Sequence, residues 1–176
     1  MSLTKIKFKA SFRFQVYVMI LCCIISGVVS KSIDSGVCQP YFASVKASEA
    51  NLHVGPGKEY KILVKYVVKG VPVVVIAKYD NWRKIKDIDG TEGWIHKNLL
   101  SKERYVMIKN LQASMYKNPD THSMCIANLK KNVIVKLIAV KNKWCNVALK
   151  YKGEVYTGWI PKNMLFGIFE NEVTVA

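Results

Sequence analysis

From residue 43 onward the apolar positions come in short runs separated by turn residues, with no stretch that keeps a helical period. Ala43 to Val54 alternates imperfectly and stops at Gly55-Pro56-Gly57, where two glycines around a proline force a tight loop. Ile62 to Val68 is branched and aromatic and closes on Lys69-Gly70. Val71 to Tyr79 is strongly apolar, with Pro72 at the only place a strand tolerates it, near the start. Asp80-Asn81 turns the chain into Trp82 to Ile88, and Asp89-Gly90 is a hairpin signal leading through Thr91-Glu92 into Gly93-Trp94-Ile95. Five short strands in so little chain predict a small closed barrel.

The pattern then repeats. Gly93-Trp94-Ile95-His96-Lys97-Asn98-Leu99-Leu100 recurs as Gly158-Trp159-Ile160-Pro161-Lys162-Asn163-Met164-Leu165, and Trp82 recurs as Trp144. The second interval is three residues longer, the length of an insertion at the hairpin Tyr151-Lys152-Gly153-Glu154 and not of a new fold. Ala113 to Tyr116, Met124 to Leu129, Val133 to Val140 and Trp144 to Tyr151 complete the second set of strands, and Lys130-Lys131-Asn132 takes the place of Val68-Lys69-Gly70. Between the copies, Tyr105-Val106-Met107-Ile108 is expected to finish the first barrel. That divides the chain into domains at 43–108 and 109–176, with 31–42 a flexible lead-in. No Gly/Ser-rich or Pro-rich linker separates the copies, so the two barrels are expected to pack against each other.

Residues 1–30 read as an address. Lys5, Lys7, Lys9 and Arg13 face no acid, and the apolar run over 16–29 is shorter than the ~20 residues a helix needs to cross a bilayer. Val28 and Ser30 suit a cut before Lys31, so a removed signal peptide and a periplasmic or secreted protein are expected; an uncleaved leader holding the chain to the membrane is the alternative. Leu21 and Val37 are poor neighbours for a lipid-modified cysteine. Formal net charge is +15 and, past the leader, only Arg83 and Arg104 are arginines. A lysine-rich surface is drawn to polyanions, and it also reads as a merely solvated surface; the two stay open.

Past the leader remain Cys38, Cys125 and Cys145, an odd number. In an oxidising compartment Cys125 and Cys145, both in the second repeat, are the expected disulfide; two buried thiols on neighbouring strands is the other reading. A metal site from His122, Cys125 and Cys145 lacks a Cys-x-x-Cys pair and a fourth ligand, so no metal or other cofactor is expected. His53, His96 and His122 are scattered, Asp87 and Asp89 flank a turn, and no nucleophile elbow or phosphate loop occurs, so catalysis is not expected.

The order Asn51-Leu52-His53-Val54-Gly55-Pro56-Gly57, Lys69-Gly70-Val71-Pro72-Val73, Asn81-Trp82-Arg83-Lys84-Ile85 and Asp89-Gly90-Thr91-Glu92-Gly93-Trp94-Ile95 resembles a bacterial SH3-like (SH3b) domain, end to end. The second copy, with Trp144-Cys145, Gly158-Trp159-Ile160 and Leu165-Phe166-Gly167-Ile168-Phe169, resembles the variant that accompanies it in exported tandem SH3-like proteins of proteobacteria. That variant often carries a cysteine a few residues before Trp-Cys; here Val140 and Lys141 stand there, which leaves Cys125 as the substitute partner. The resemblance implies an all-β chain of two small SH3-like barrels in tandem after a signal peptide. Ile85, Ile95, Val147 and Ile160 are core positions. Gly55, Gly57, Gly93, Trp144, Gly158 and Trp159 are structural, the first two through backbone conformation. Trp94 and Trp159 fall on the face opposite the core, where they cap the barrel and join the domains or line a groove. A ligand groove is expected at Trp82, Arg83, Trp94 and Tyr60, with the second copy a support. The resulting expectation is a non-catalytic binding or scaffolding module for peptidoglycan or an envelope protein; the alternative is a protein–protein adaptor without wall affinity. Nucleic acid is a poor candidate, because export removes it and the aromatics are not interleaved with basic residues.

Overall fold

The computed structural model describes residues 36–173, which fall within one compact unit. The leader lies outside the described residues. The first sheet contains β1 (Gly36–Val45), β2 (Ala50–His53), β3 (Ile62–Tyr66), β4 (Pro72–Tyr79), β5 (Trp82–Lys86), β6 (Glu92–His96) and β7 (Leu100–Ser101). The second contains β8 (Tyr105–Ile108), β9 (Gln112–Tyr116), β10 (Cys125–Lys130), β11 (Ile134–Lys141), β12 (Trp144–Tyr151), β13 (Glu154–Pro161) and β14 (Leu165–Phe166). Their orders, β3-β2-β6-β5-β4-β1-β7 and β10-β9-β13-β12-β11-β8-β14, are one topology written twice. A single 3₁₀ turn, Lys97–Leu99 or Lys162–Met164, precedes the last strand of each. The architecture is the expected pair of SH3-like barrels in tandem.

Alternation along the strands sends every second residue inward. Val45, Leu52, Val73, Val75, Ile85 and Ile95 are wholly buried in the first barrel, and Ile108, Met115, Val147 and Ile160 occupy matching places in the second. Both copies interrupt the same ladder at the same point, between Val75 and Ala77 and between Leu137 and Ala139. A bulge there bends the strand and lets a narrow sheet curl on its core. The turn before the long central strand needs a left-handed residue in each copy, and Gly70 (φ 84°) is replaced by Asn132 (φ 69°), the side chain that best tolerates that region.

Two boundaries differ from the sequence reading. Tyr105–Ile108 does not finish the first barrel: Ile134 pairs with Met107 and Leu165 with Ile108, and Val106 and Ile108 enter the second core. The first barrel is finished by β7, against Val45 and Ser44. Residues 36–42 are not a flexible lead-in either. They form the first part of β1, where Gly36 pairs with Lys78 and Tyr41 with Val75. The outer edge of β4 would otherwise carry unpaired backbone groups, and this segment covers it while burying Phe42 and packing Cys38 against the core.

The barrels do pack together. The Ser44 hydroxyl accepts from the Tyr105 N–H at 3.1 Å, the Phe42 ring lies 5.5 Å edge-on from Phe166 and 4.5 Å from Phe169, and the Arg104 guanidinium sits 5.5 Å over Phe42. These phenylalanines, not Trp94 and Trp159, join the two domains.

Candidate functional site

Trp82 opens β5 directly after the turn at Asp80, so its indole stands at the end of the sheet instead of within it. Cross-strand pairing sets its neighbours: Tyr79 on β4 and His96 on β6 share its face. His53, at the end of β2, pairs with Trp94 on that face. The outcome is an indole between two imidazoles, His53 at 5.4 Å and His96 at 5.6 Å, both edge-on. Together with Leu99, Ile62 and Lys58 they line a cleft of about 550 Å³.

The two histidines use Nδ1 in opposite senses. The Tyr60 carbonyl can only accept, so Nδ1 of the buried His53 donates to it at 2.7 Å. His96 Nδ1 accepts from the Asn98 N–H at 3.3 Å, so its Nε2 carries the hydrogen. On the rim, Lys65 is paired with Glu49 at 2.8 Å with both side chains mostly exposed, while Lys58 has no acid partner among the described residues. The cleft therefore offers an aromatic wall, two imidazole rings and one uncommitted ammonium.

The four expected groove residues separate. Trp82 lines the cleft. Trp94 is 8% exposed beneath Tyr79, 6.4 Å away edge-on, and lies outside the cleft as a cover on the sheet. Arg83 turns the other way and donates to the carbonyls of Asp80 and Trp82 at 3.0 and 2.7 Å, bracing the turn that presents the indole. Tyr60 contributes its carbonyl, and its ring lies over Gly55, where a Cβ would sit 2.5 Å from it. Close approach, not a left-handed backbone, accounts for Gly55; at Gly57 a Cβ would run into the Glu59 carboxylate. His53 and His96 were missed because they look unrelated along the chain; their positions opposite the two tryptophans were the available signal.

The second copy carries a cleft of its own. Trp144 pairs across strands with Pro161 and meets the Tyr116 ring edge-on at 5.8 Å, and a cleft of about 850 Å³ opens beside it. Trp159 pairs with Asn146 and Tyr116, as Trp94 does with Lys84 and His53.

Cys125 and Cys145 are not joined: among the described residues Cys38, Cys125 and Cys145 are all free thiols. Strands β9 and β13 lie between β10 and β12, and Cys145 faces the core while Cys125 is exposed. A disulfide requires Cα atoms within about 7 Å. Burial pushes the Cys145 thiol up to about 11, so at neutral pH it is a protonated, unreactive core group. Iodoacetamide at neutral pH is accordingly expected to alkylate the peptide carrying Cys125 and to leave that carrying Cys145 unmodified until urea is added. A mapped Cys125–Cys145 cross-link would contradict this.

The acids at the first hairpin serve the turn. Asp87 accepts from the N–H groups of Asp89 and Thr91 at 3.1 and 2.9 Å and from the Tyr66 hydroxyl at 3.1 Å. Burial, with the Asp87 carboxylate beside it, holds the Tyr66 phenol well above the usual range, keeping it a donor. Among the described residues no three His, Cys, Asp or Glu side chains come together as metal ligands.

Residues 46–102 and 109–167 each match the family model of the bacterial SH3 domain. No curated protein matches. Solved structures similar to this chain include NlpC1 from Trichomonas vaginalis, with 14% identity, 76% of this chain and 48% of that chain covered and a TM-score of 0.34. An NlpC/P60 family protein from Bacillus cereus has 16% identity over 71% and 55% with a TM-score of 0.33, and NlpC2 from Trichomonas vaginalis 13% over 77% and 51% with a TM-score of 0.33. The chain spans about half the length of each of these proteins.

Proposed function

The chain belongs to the bacterial SH3 domain family, and we propose that it is an exported, non-catalytic binding module whose Trp82 cleft recognises cell-wall peptidoglycan. The observation that carries the reading is the indole of Trp82 set between His53 and His96 at the mouth of a cleft, with Lys58 beside it. An aromatic wall desolvates the apolar face of a sugar or peptide, and imidazole nitrogens hydrogen-bond its amides and hydroxyls. The lysine excess draws the protein to an anionic polymer before docking, and the charge pattern of residues 1–30 supports export.

The purified protein is expected to sediment with protein-free murein sacculi at about 0.15 M salt, with retention falling as salt rises. Trp82→Ala is expected to weaken retention at least about tenfold, the loss typical of a central aromatic anchor. Protein that stays in the supernatant at that salt would refute wall recognition and leave an adaptor between envelope proteins.

A further inference from the structure

The second cleft has its own chemistry. Where Trp82 stands between two imidazoles, Trp144 has Tyr116 and Pro161 in the corresponding places, and Met164 replaces Leu99. The C-terminal tail adds Ile168, so the floor is aliphatic, thioether and aromatic, with no titratable ring nitrogen. The rim is basic, with Lys109, Lys143 and Lys162 around a single acid, Glu170.

Those lysines are not spent on carboxylates. Lys162 Nζ donates to the carbonyls of Glu170 and Glu172 at 3.0 and 2.8 Å, which fixes the ammonium in place and leaves its charge standing. Lys109 and Lys143 are exposed and have no carboxylate within ion-pair distance among the described residues. The tail that walls the cleft is itself held, because both Glu172 carboxylate oxygens accept from Arg104, at 2.9 and 3.2 Å.

We propose that the Trp144 cleft docks an acidic segment of a partner protein, one that places an aliphatic side chain on the floor of Met164 and Ile168 with carboxylates on either side facing Lys109 and Lys143. The charge on the rim selects an anion. The floor selects for an apolar side chain, because Pro161, Met164 and Ile168 present aliphatic and thioether surface beside the Trp144 ring. This is a different cleft from the one proposed to meet the wall, so either reading can fail without the other.

The probe is a fluorescein-labelled, C-terminally amidated pentapeptide, Glu-Leu-Glu-Leu-Glu, titrated by anisotropy against its Gln-Leu-Gln-Leu-Gln counterpart at low salt. The glutamate peptide is expected to bind at least about tenfold more tightly, and the double variant Lys109→Glu/Lys143→Glu to erase that advantage. Trp82→Ala is expected to leave peptide binding unchanged. Both lysines are exposed, so an unaltered thermal melt of the double variant is the control for folding. Equal binding of the two peptides, indifference to the charge reversal, or loss of binding in Trp82→Ala would each overturn the proposal. Displacement of the peptide by protein-free sacculi would also overturn it, by making the ligand a wall peptide instead of a protein.

Discussion

Valine in place of Gly93 is expected to abolish cooperative folding of the first barrel, and valine in place of Gly158 that of the second. A Cβ at Gly93 would lie 2.7 Å from Leu52 Cγ and 2.8 Å from the His53 carbonyl oxygen; one at Gly158 would lie 2.7 Å from Met115 Cγ and 2.8 Å from the Tyr116 carbonyl oxygen. Neither glycine has a positive φ, so what is required is room and not a special backbone conformation. The obstruction cannot withdraw easily. Leu52 and Met115 are wholly buried, and the carbonyls belong to strands already tied into the ladder. Alanine at either position should cost about 1–3 kcal/mol, the usual range for overpacking. Valine adds two more methyls at the same contact, and a core of this size rarely supplies more than about 3–5 kcal/mol. Urea titrations followed by tryptophan fluorescence should show a lowered midpoint for Gly93→Ala and no native baseline for the first barrel in Gly93→Val. A Gly93→Val protein that unfolds at the same urea concentration as the original would refute the argument. The repeated Gly-Trp-Ile stretch is thus a closure device: its glycine admits the neighbouring strand, its isoleucine fills the core, and its tryptophan covers the sheet.

What the sequence could and could not show follows from the range of the forces involved. Alternation and turn residues act locally, so the strands, the hairpin at Asp89-Gly90 and the core places of Ile85, Ile95, Val147 and Ile160 were legible. Ownership of Tyr105–Ile108 was not, because an apolar run of that length satisfies either barrel, and long-range pairing with Ile134 and Leu165 decides it. Trp82 and Trp94 looked alike as candidate anchors. Both fall on the outer face, yet Trp94 lies mid-strand between Lys84 and His53 under Tyr79, while Trp82 is the first residue of its strand and keeps an open side. Nearness along the chain suggested a Cys125–Cys145 pair, and strand order denied it. The second cleft was hidden for a similar reason. Its floor needs Met164 and Ile168, which read as a barrel-closing tail until the Arg104–Glu172 pair folds them beside Trp144.

That pair sets the last expected result, in which Arg104→Ala lowers stability by about 2–3 kcal/mol and loosens one barrel from the other. The estimate starts from the ~3–5 kcal/mol lost when one partner of a buried ion pair is removed, and is reduced because Arg104 and Glu172 are 27% and 21% exposed. One side chain makes several links at once. Its terminal nitrogens hold both oxygens of Glu172, Nη2 also donates to the Gly167 carbonyl at 2.7 Å, and its plane covers Phe42 of the first barrel. Lys136→Ala, which removes a pair to Glu103 with side chains 49% and 59% exposed, should change stability by less than about 1 kcal/mol. Arg104→Lys should recover little, because an ammonium cannot span both carboxylate oxygens and stack on the ring at once. In urea the Arg104→Ala protein should show two separated transitions where the original shows one, and rescue by lysine to the original midpoint would contradict this account. Since the same tail walls the Trp144 cleft, Arg104→Ala should also weaken the acidic peptide while leaving retention on sacculi through Trp82 intact, a split that loss of overall stability alone would not produce.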